Sequence, residues 1–278
     1  MEQNIQSVTG SLKSRDGSRI GFLTVGEGPG VIVIPGALSV AADYGAFARA
    51  LAEHFTVHTI ERRGRGLSGP QGDDYSIAKE LDDVLALQSA TGAPFLVGHS
   101  YGGLVALEAA RQNEALTKIA VYEPGVSIGH SIPMDWMPAY ERNLVAGRDM
   151  DAFVEFNIGL GPDRARNTPR WLMKPLLHLM VGGDRRTRMF ALLAQNLREH
   201  REVARLDDSY PNYREVMAGV LLMHGGSSDS GWVKLSIERL AQVLPRPETK
   251  EFPKLDHFGI DRKAPQEVAR SVSEYFRR

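Results

Sequence analysis

Short apolar runs alternate with amphipathic stretches along most of the chain. Val31–Ile34 and Pro94–Val97 are continuous apolar runs, which are typical of parallel strands buried on both faces. The stretch Asp43–His54 and the residues that follow Ser76 have apolar positions at helical spacing, and Ser76 is a predicted helix N-cap. Strands that alternate with helices predict an α/β fold with a mostly parallel, doubly wound sheet and right-handed crossovers.

The same pattern predicts the remaining elements. At the start of the chain, the turn Ser14–Gly17 separates the two strands of a hairpin. Further strands are predicted at 55–60, 118–122, 220–223 and 249–252, and further helices at 104–113, 233–244 and 265–276. The alternation is interrupted between about Ser127 and Tyr213, where the pattern is helical. We therefore expect one core of residues 1–126 and 214–278 with a helical insertion at 127–213.

Composition and charge exclude several classes of function. The 278 residues are 42% hydrophobic, enough for a substantial core, and 33 Lys and Arg nearly balance 34 Asp and Glu. That balance argues against nucleic acid as a partner. With no cysteine in the chain, disulfides and Cys-ligated zinc are excluded. Neither a signal peptide nor a membrane-spanning run is visible, so a cytoplasmic protein without a membrane partner is expected.

A candidate nucleophile lies in the segment Gly98–Gly103. Its G-x-S-x-G pattern centres on Ser100, between a predicted buried strand and a predicted helix. At such a turn, small flanking residues tolerate a strained backbone that exposes the serine hydroxyl, and the helix directs its free N–H groups toward developing negative charge. The alternative, a glycine-rich turn whose serine only caps the helix, explains less of this context.

Four local segments carry a resemblance to the α/β-hydrolase family: Val31–Gly36, Glu61–Ser68, Gly98–Gly102 and Leu255–Phe258. The resemblance extends over essentially the whole chain. It departs from the family pattern where Glu61 replaces an aspartate and where Pro35 replaces the commoner histidine. The resemblance implies an eight-stranded sheet, a helical lid inserted after strand 6, and no cofactor or metal.

The sequence also indicates a general base and an oxyanion hole. Among eight histidines, His257 follows the last predicted strand and can reach the sheet edge that carries Ser100. His99 is adjacent to the nucleophile, but its side chain is expected to point elsewhere. By resemblance, the oxyanion hole is formed by the backbone N–H groups of Ala37 and Tyr101, which should stabilise the charge that develops on the substrate oxygen.

Two acidic residues compete for the role that orients the base. The family usually places an Asp three residues beyond the Gly of a His-Gly step, but that position here is Ser228, and Asp229 follows one residue late. Some family members place the acid directly after strand 6, where this chain has Glu123. We favour Glu123 slightly over Asp229, and both preserve the order nucleophile, acid, base.

These residues predict a serine hydrolase that acts on a small-molecule substrate. The expected reaction proceeds through an acyl-enzyme on Ser100 with His257 as base, on a small, fairly apolar ester, lactone, amide or activated C–C bond. A carboxylic ester hydrolase is the favoured type. The alternative is a ligand-binding or receptor protein on the same fold, without catalysis. An oligomer is compatible with the sequence.

Overall fold

A single twisted sheet forms the core of the protein. The computed structural model describes residues 7–161, 163–228 and 230–278. The strands are β1 (Val8–Lys13), β2 (Arg19–Val25), β3 (Gly30–Ile34), β4 (Thr56–Glu61), β5 (Phe95–His99), β6 (Lys118–Tyr122), β7 (Gly219–Gly225) and β8 (Pro247–Phe252). Their order is β1-β2-β4-β3-β5-β6-β7-β8, and all neighbouring pairs are parallel except β1–β2 and β2–β4. The predicted fold class, an eight-stranded and mostly parallel α/β sheet, is confirmed.

Helices cover both faces of this sheet. They are α1 (Gly45–Leu51), α2 (Ile77–Thr91), α3 (Tyr101–Gln112), α10 (Gly231–Val243) and α11 (Pro265–Arg277). Successive side chains of β3 point to opposite faces, so Ile32 and Ile34 pack with α2, α3 and α10, while Val31 and Val33 pack with α1 and α11. Burial on both faces explains why this strand is a continuous apolar run.

The segment between β6 and β7 is helical. It contains α4 (Met137–Val145), α5 (Asp149–Leu160), α6 (Asp163–Arg166), α7 (Arg170–Met180), α8 (Gly183–Phe190) and α9 (Leu193–Arg205), followed by a 3-10 turn at Tyr210–Glu215. The described residues of the range 127–213 include no strand. An apolar cluster that includes Trp136, Phe153 and Leu197 holds the segment together and extends to Leu38, in the loop after β3.

The structure corrects three local predictions. The helix predicted from residue 104 begins at Tyr101, directly after Ser100, and the helix predicted at 43–54 is a 3-10 turn (Ala41–Tyr44) followed by the shorter α1. Ser76 does precede α2, but its side chain makes no capping hydrogen bond. Instead, Glu202 Oε2 from α9 accepts a 2.9 Å hydrogen bond from the Ile77 N–H. A distant carboxylate thus takes the place of the local hydroxyl, with its charge favourably placed at the positive end of the helix.

In the part of the chain that the structure describes, no helix is both long enough and apolar enough to cross a membrane.

Candidate active site

Ser100 lies in the sharp turn that joins β5 to α3. Its backbone angles are φ 54° and ψ −121°, a conformation that side-chain-bearing residues rarely adopt. The flanking glycines permit this turn, because a Cβ at Gly98 would collide with the Gly102 carbonyl oxygen and a Cβ at Gly102 with the Ile34 carbonyl oxygen. The Ser100 N–H donates to the Tyr122 carbonyl at 3.0 Å, which ties the turn to β6.

The side chains of His257 and Glu123 form a hydrogen-bonded pair. His257 Nδ1 lies 2.7 Å from Glu123 Oε2. The second oxygen, Oε1, accepts a 2.9 Å hydrogen bond from the Gly225 N–H and another from the Ser228 hydroxyl. Because a carboxylate can only accept, the proton of the imidazole lies on Nδ1, and Nε2 is left as an acceptor. The Glu123 side chain is fully buried.

The pKa of His257 is set by two opposing effects. Burial lowers this pKa, but the hydrogen bond and the negative charge of Glu123 outweigh burial, so the pKa lies above its ordinary value of 6.5. The charges of Asp261 and Asp256 act in the same direction as Glu123. Asp261 is itself buried, and burial raises its pKa to about 7. His257 therefore binds a proton more tightly than an ordinary histidine side chain does.

His99 contacts the loop that carries His257. Its Nε2 lies 2.9 Å from the His257 carbonyl oxygen, and its Nδ1 lies 2.6 Å from the hydroxyl of Tyr44. Since a carbonyl only accepts, Nε2 carries the proton, and Nδ1 accepts the Tyr44 O–H. The Tyr44 oxygen in turn accepts a 3.0 Å hydrogen bond from the Gly36 N–H. A buried chain of hydrogen bonds thus connects the loop after β3 to the loop of His257.

We expect His99 to stay neutral throughout the pH range in which His257 titrates. Burial lowers the pKa of His99 well below 6.5, and the nearby His257 lowers it further. Nitrogen NMR of the isotope-labelled imidazoles should show His99 as the neutral Nε2–H form at pH values where His257 is already protonated. A His99 resonance that titrates together with His257 would contradict this assignment.

The Tyr44→Phe variant should have a free energy of unfolding about 2 kcal/mol lower than that of the wild type, because two buried polar groups lose their partner.

The predicted oxyanion donors lie on the two backbone segments beside Ser100. Tyr101 is the first residue of α3, where backbone N–H groups have no partner within the helix. Ala37 follows Gly36, where an added Cβ would lie 3.2 Å from Ser100 Cβ. Neither the Ala37 N–H nor the Tyr101 N–H finds an acceptor among the residues that the structure describes. Both are therefore available to bind an oxygen atom of a substrate.

Comparison with known proteins identifies the family. The model of the alpha/beta hydrolase family matches residues 31–271, a range that includes Ser100, Glu123 and His257. The chain belongs to the alpha/beta hydrolase family. Similar proteins include a 2-(acetamidomethylene)succinate hydrolase of Mesorhizobium japonicum, 26% identical over 90% of this chain and 88% of that protein. An N-formylmaleamate deformylase of Pseudomonas putida is 32% identical over 52% of this chain and 59% of its own length.

A solved structure supports the same family. An alpha/beta hydrolase from Sphaerobacter thermophilus superimposes with a TM-score of 0.81 and 28% identity, over 96% of this chain and 100% of that one. As an alpha/beta hydrolase, the protein keeps the family's sheet, with the turn of Ser100 at the end of β5.

The carboxylate that contacts His257 in this alpha/beta hydrolase does not lie at the position where the family usually has an acid. Ser228 occupies the position three residues beyond Gly225, and its hydroxyl donates to the carboxylate of Glu123. Glu123, rather than a residue at that position, contacts His257. Asp229, the alternative acid, lies outside the described residues. In the described part of the chain, no group of three or more His, Asp or Glu side chains is arranged to hold a metal ion.

Sequence reasoning missed several residues around the site. The sequence predicts no role for Tyr44 or Ser228, because their contacts with His99 and Glu123 join distant parts of the chain and produce no local pattern. The prediction that the His99 side chain points elsewhere is consistent with its buried contacts to Tyr44 and the His257 carbonyl. Arg62 is another residue that was missed. It lies in the segment Glu61–Ser68, directly after a buried strand, and a charged residue at such a position is unusual enough to indicate a specific role.

Proposed function

We propose that the protein hydrolyses small carboxylic esters and amides through an acyl-enzyme on Ser100. The observation that carries this proposal is the hydrogen bond of Glu123 to His257 Nδ1, which leaves Nε2 free to accept a proton. The His257 loop is in contact with the residue before Ser100, since the rings of His99 and His257 lie 4.8 Å apart. A strained serine, an oriented imidazole and two free N–H groups are the parts that acyl transfer requires.

The proposed reaction has two halves. In the first, His257 Nε2 accepts the proton of the Ser100 hydroxyl while Oγ attacks the acyl carbon, and the N–H groups of Ala37 and Tyr101 bind the oxyanion. The imidazolium then donates its proton to the departing alkoxide or amine, which leaves an ester on Ser100. In the second half, His257 Nε2 accepts a proton from a water molecule while the water oxygen attacks the same carbon. The bond between that carbon and Oγ then breaks, the imidazolium returns its proton to Ser100 Oγ, and the carboxylic acid is released.

The role proposed for Glu123 is to hold the imidazole in the Nδ1–H form and to stabilise the imidazolium. The hydrogen bonds from the Gly225 N–H and the Ser228 hydroxyl fix the other carboxylate oxygen, so the carboxylate cannot rotate away from His257. A preorganised negative charge in a buried site stabilises a neighbouring cation more strongly than it would in water.

We propose further that the helical insertion at 127–213 is a lid over the site. Two observations support this role. The apolar cluster of the insertion extends to Leu38, next to Ala37. In addition, Glu199 of α9 forms a buried ion pair with Arg65 of the core. A cover of this kind favours a small, fairly apolar substrate, because water is excluded from the reacting centre.

Among these substrates, we propose the C–N bond of an acylated nitrogen as a specific candidate for the bond that is cleaved. The names of the two relatives refer to an acetamido compound and to an N-formyl compound, both of which contain such a nitrogen. The acyl-enzyme step is the same for esters, lactones and amides, and an activated C–C bond can be cleaved through the same intermediate. The leaving group therefore distinguishes these candidates.

A substrate panel tests the proposed function. It should contain p-nitrophenyl acetate, a lactone, an N-formyl amide, an N-acetyl enamide and a vinylogous diketone. We expect saturable hydrolysis of at least one ester or amide. We also expect a serine-directed sulfonyl fluoride to inactivate the protein in proportion to the fraction of molecules that it labels. Binding of these compounds without turnover of any of them would instead support the non-catalytic receptor. Turnover that survives complete labelling would contradict the serine mechanism.

A further inference from the structure

Arg62 is a buried cation that contacts the loop after β3. Its side chain has no exposed surface, and its Nη1 donates to the carbonyl oxygens of Gly36 at 3.1 Å and Pro35 at 3.4 Å. No step of the proposed reaction uses this guanidinium. It nevertheless contacts the residues that immediately precede the Ala37 N–H.

Three groups hold the guanidinium in place. Glu80 of α2 binds it through two parallel hydrogen bonds, each 2.9 Å long, and Glu199 of α9 contributes an oxygen 2.9 Å away. The ring of Tyr101 packs over it, with 4.6 Å between the guanidinium carbon and the ring centroid. A bidentate carboxylate and a stacked ring fix the plane of an arginine, which a lysine ammonium cannot reproduce.

The contact with Gly36 determines the direction of the Ala37 N–H. The Gly36 carbonyl and the Ala37 N–H belong to one planar trans peptide unit, and they point in opposite directions. Because Arg62 binds the carbonyl from the protein interior, the N–H is directed away from Arg62. A reversed peptide would turn the positive end of the N–H dipole toward the guanidinium, which is electrostatically unfavourable. The Gly36 N–H, fixed by Tyr44, restrains the preceding peptide unit.

We propose that Arg62 is a positioning residue that keeps the oxyanion hole formed, by orienting the Ala37 N–H toward the substrate oxygen. This inference rests on the proposed function. It also gives the helical insertion a part in catalysis, because Glu199 of α9 helps to hold the guanidinium against the loop. Arg62 thus contacts Gly36, the residue before one oxyanion donor, and Tyr101, the residue that supplies the other.

The Arg62→Lys variant tests the proposal while keeping the positive charge. A lysine can remain paired with Glu80, but it cannot bind that carboxylate through two parallel hydrogen bonds and also donate to the Gly36 carbonyl. We expect kcat to fall about 100-fold with little change in KM, as for the loss of one oxyanion donor. The infrared carbonyl band of an isotope-labelled acyl group on Ser100 should move to higher wavenumber, because that carbonyl loses a hydrogen bond.

Arg63→Lys is the matched control. Arg63 is equally buried in the same loop and binds Asp83 through two 2.7 Å hydrogen bonds, but its remaining bonds go to Asp16 and two serine hydroxyls, away from Gly36. This variant should lose stability yet keep the wild-type carbonyl band and the wild-type kcat per folded molecule. If Arg62→Lys fails to fold, Glu199→Gln should shift the band in the same direction by a smaller amount.

The outcomes separate the inference from the proposed function. If the wild-type protein forms no acyl adduct on Ser100, the proposed function fails. If the adduct forms and its carbonyl band is the same in wild type and in the folded Arg62→Lys or Glu199→Gln variant, only the role of Arg62 is overturned. A shifted band together with an unchanged band in Arg63→Lys supports that role.

Discussion

Replacing Ser100 by Ala is expected to lower kcat by about 10⁵- to 10⁶-fold, the scale on which loss of a serine nucleophile acts. Without the Oγ atom, no acyl-enzyme can form on this residue, and only water held near the oxyanion hole can react. The fold should be preserved, because the backbone hydrogen bond from residue 100 to the Tyr122 carbonyl does not depend on the side chain. Steady-state turnover and urea denaturation of both proteins measure the two effects.

The contrast between activity and stability makes the Ser100→Ala result informative. We expect the denaturation midpoint to stay close to that of the wild type while the activity disappears. Turnover that falls less than about tenfold in a folded variant would show that another group attacks the substrate. A variant that retains binding of the product acid would further show that the pocket itself is intact.

The Glu123→Gln variant should lower kcat by about 10⁴-fold. The amide removes the negative charge that stabilises the imidazolium, and its NH₂ group can donate to Nδ1, which favours the wrong tautomer of His257. The matched variant Asp229→Asn should lower kcat far less, because the described carboxylate that contacts His257 is that of Glu123. Turnover of both variants with one substrate decides between the two acids.

The pH dependence of the same variant gives a second readout. Burial lowers the pKa of His257, but Glu123 raises it above the ordinary value, so the wild-type imidazole becomes neutral at a higher pH than an ordinary histidine. Removal of the carboxylate charge lowers this pKa. The acidic limb of the residual kcat/KM profile should therefore move to lower pH in Glu123→Gln. An unmoved limb, or a larger loss of kcat in Asp229→Asn, would contradict the assignment of Glu123.

Much of the fold could be predicted from local patterns in the sequence. Val31–Ile34 is continuously apolar because helices cover both faces of β3, and the turn at Ser14–Gly17 sets the register of β1 against β2. The start of α3 was placed three residues late, since Tyr101 begins the helix at the strained turn itself. Ser76 is a predicted helix cap, whereas the Ile77 N–H is bound by Glu202, which lies 125 positions from Ile77 in sequence.

The site was predictable only where chemistry is carried by neighbouring residues. Ser100 lies in a motif whose glycines avoid collisions within the turn, so its pattern is local. The sequence favours Glu123 only slightly over Asp229, because the contact of Glu123 with His257 joins residues 134 positions apart. Tyr44 contacts His99, 55 positions away, and Arg62 contacts Gly36, 26 positions away. The pattern of apolar and polar residues along the chain does not predict contacts of this kind.

We propose that the reaction proceeds through an ester on Ser100. When the protein is quenched in acid during turnover of p-nitrophenyl acetate, mass spectrometry of its peptides locates the acetyl group. We expect acetyl on Ser100, at an occupancy that rises with substrate saturation and decays at the rate of turnover once substrate is removed. Steady turnover with no acetyl on Ser100, or with acetyl on another residue that forms and decays at the catalytic rate, would contradict it.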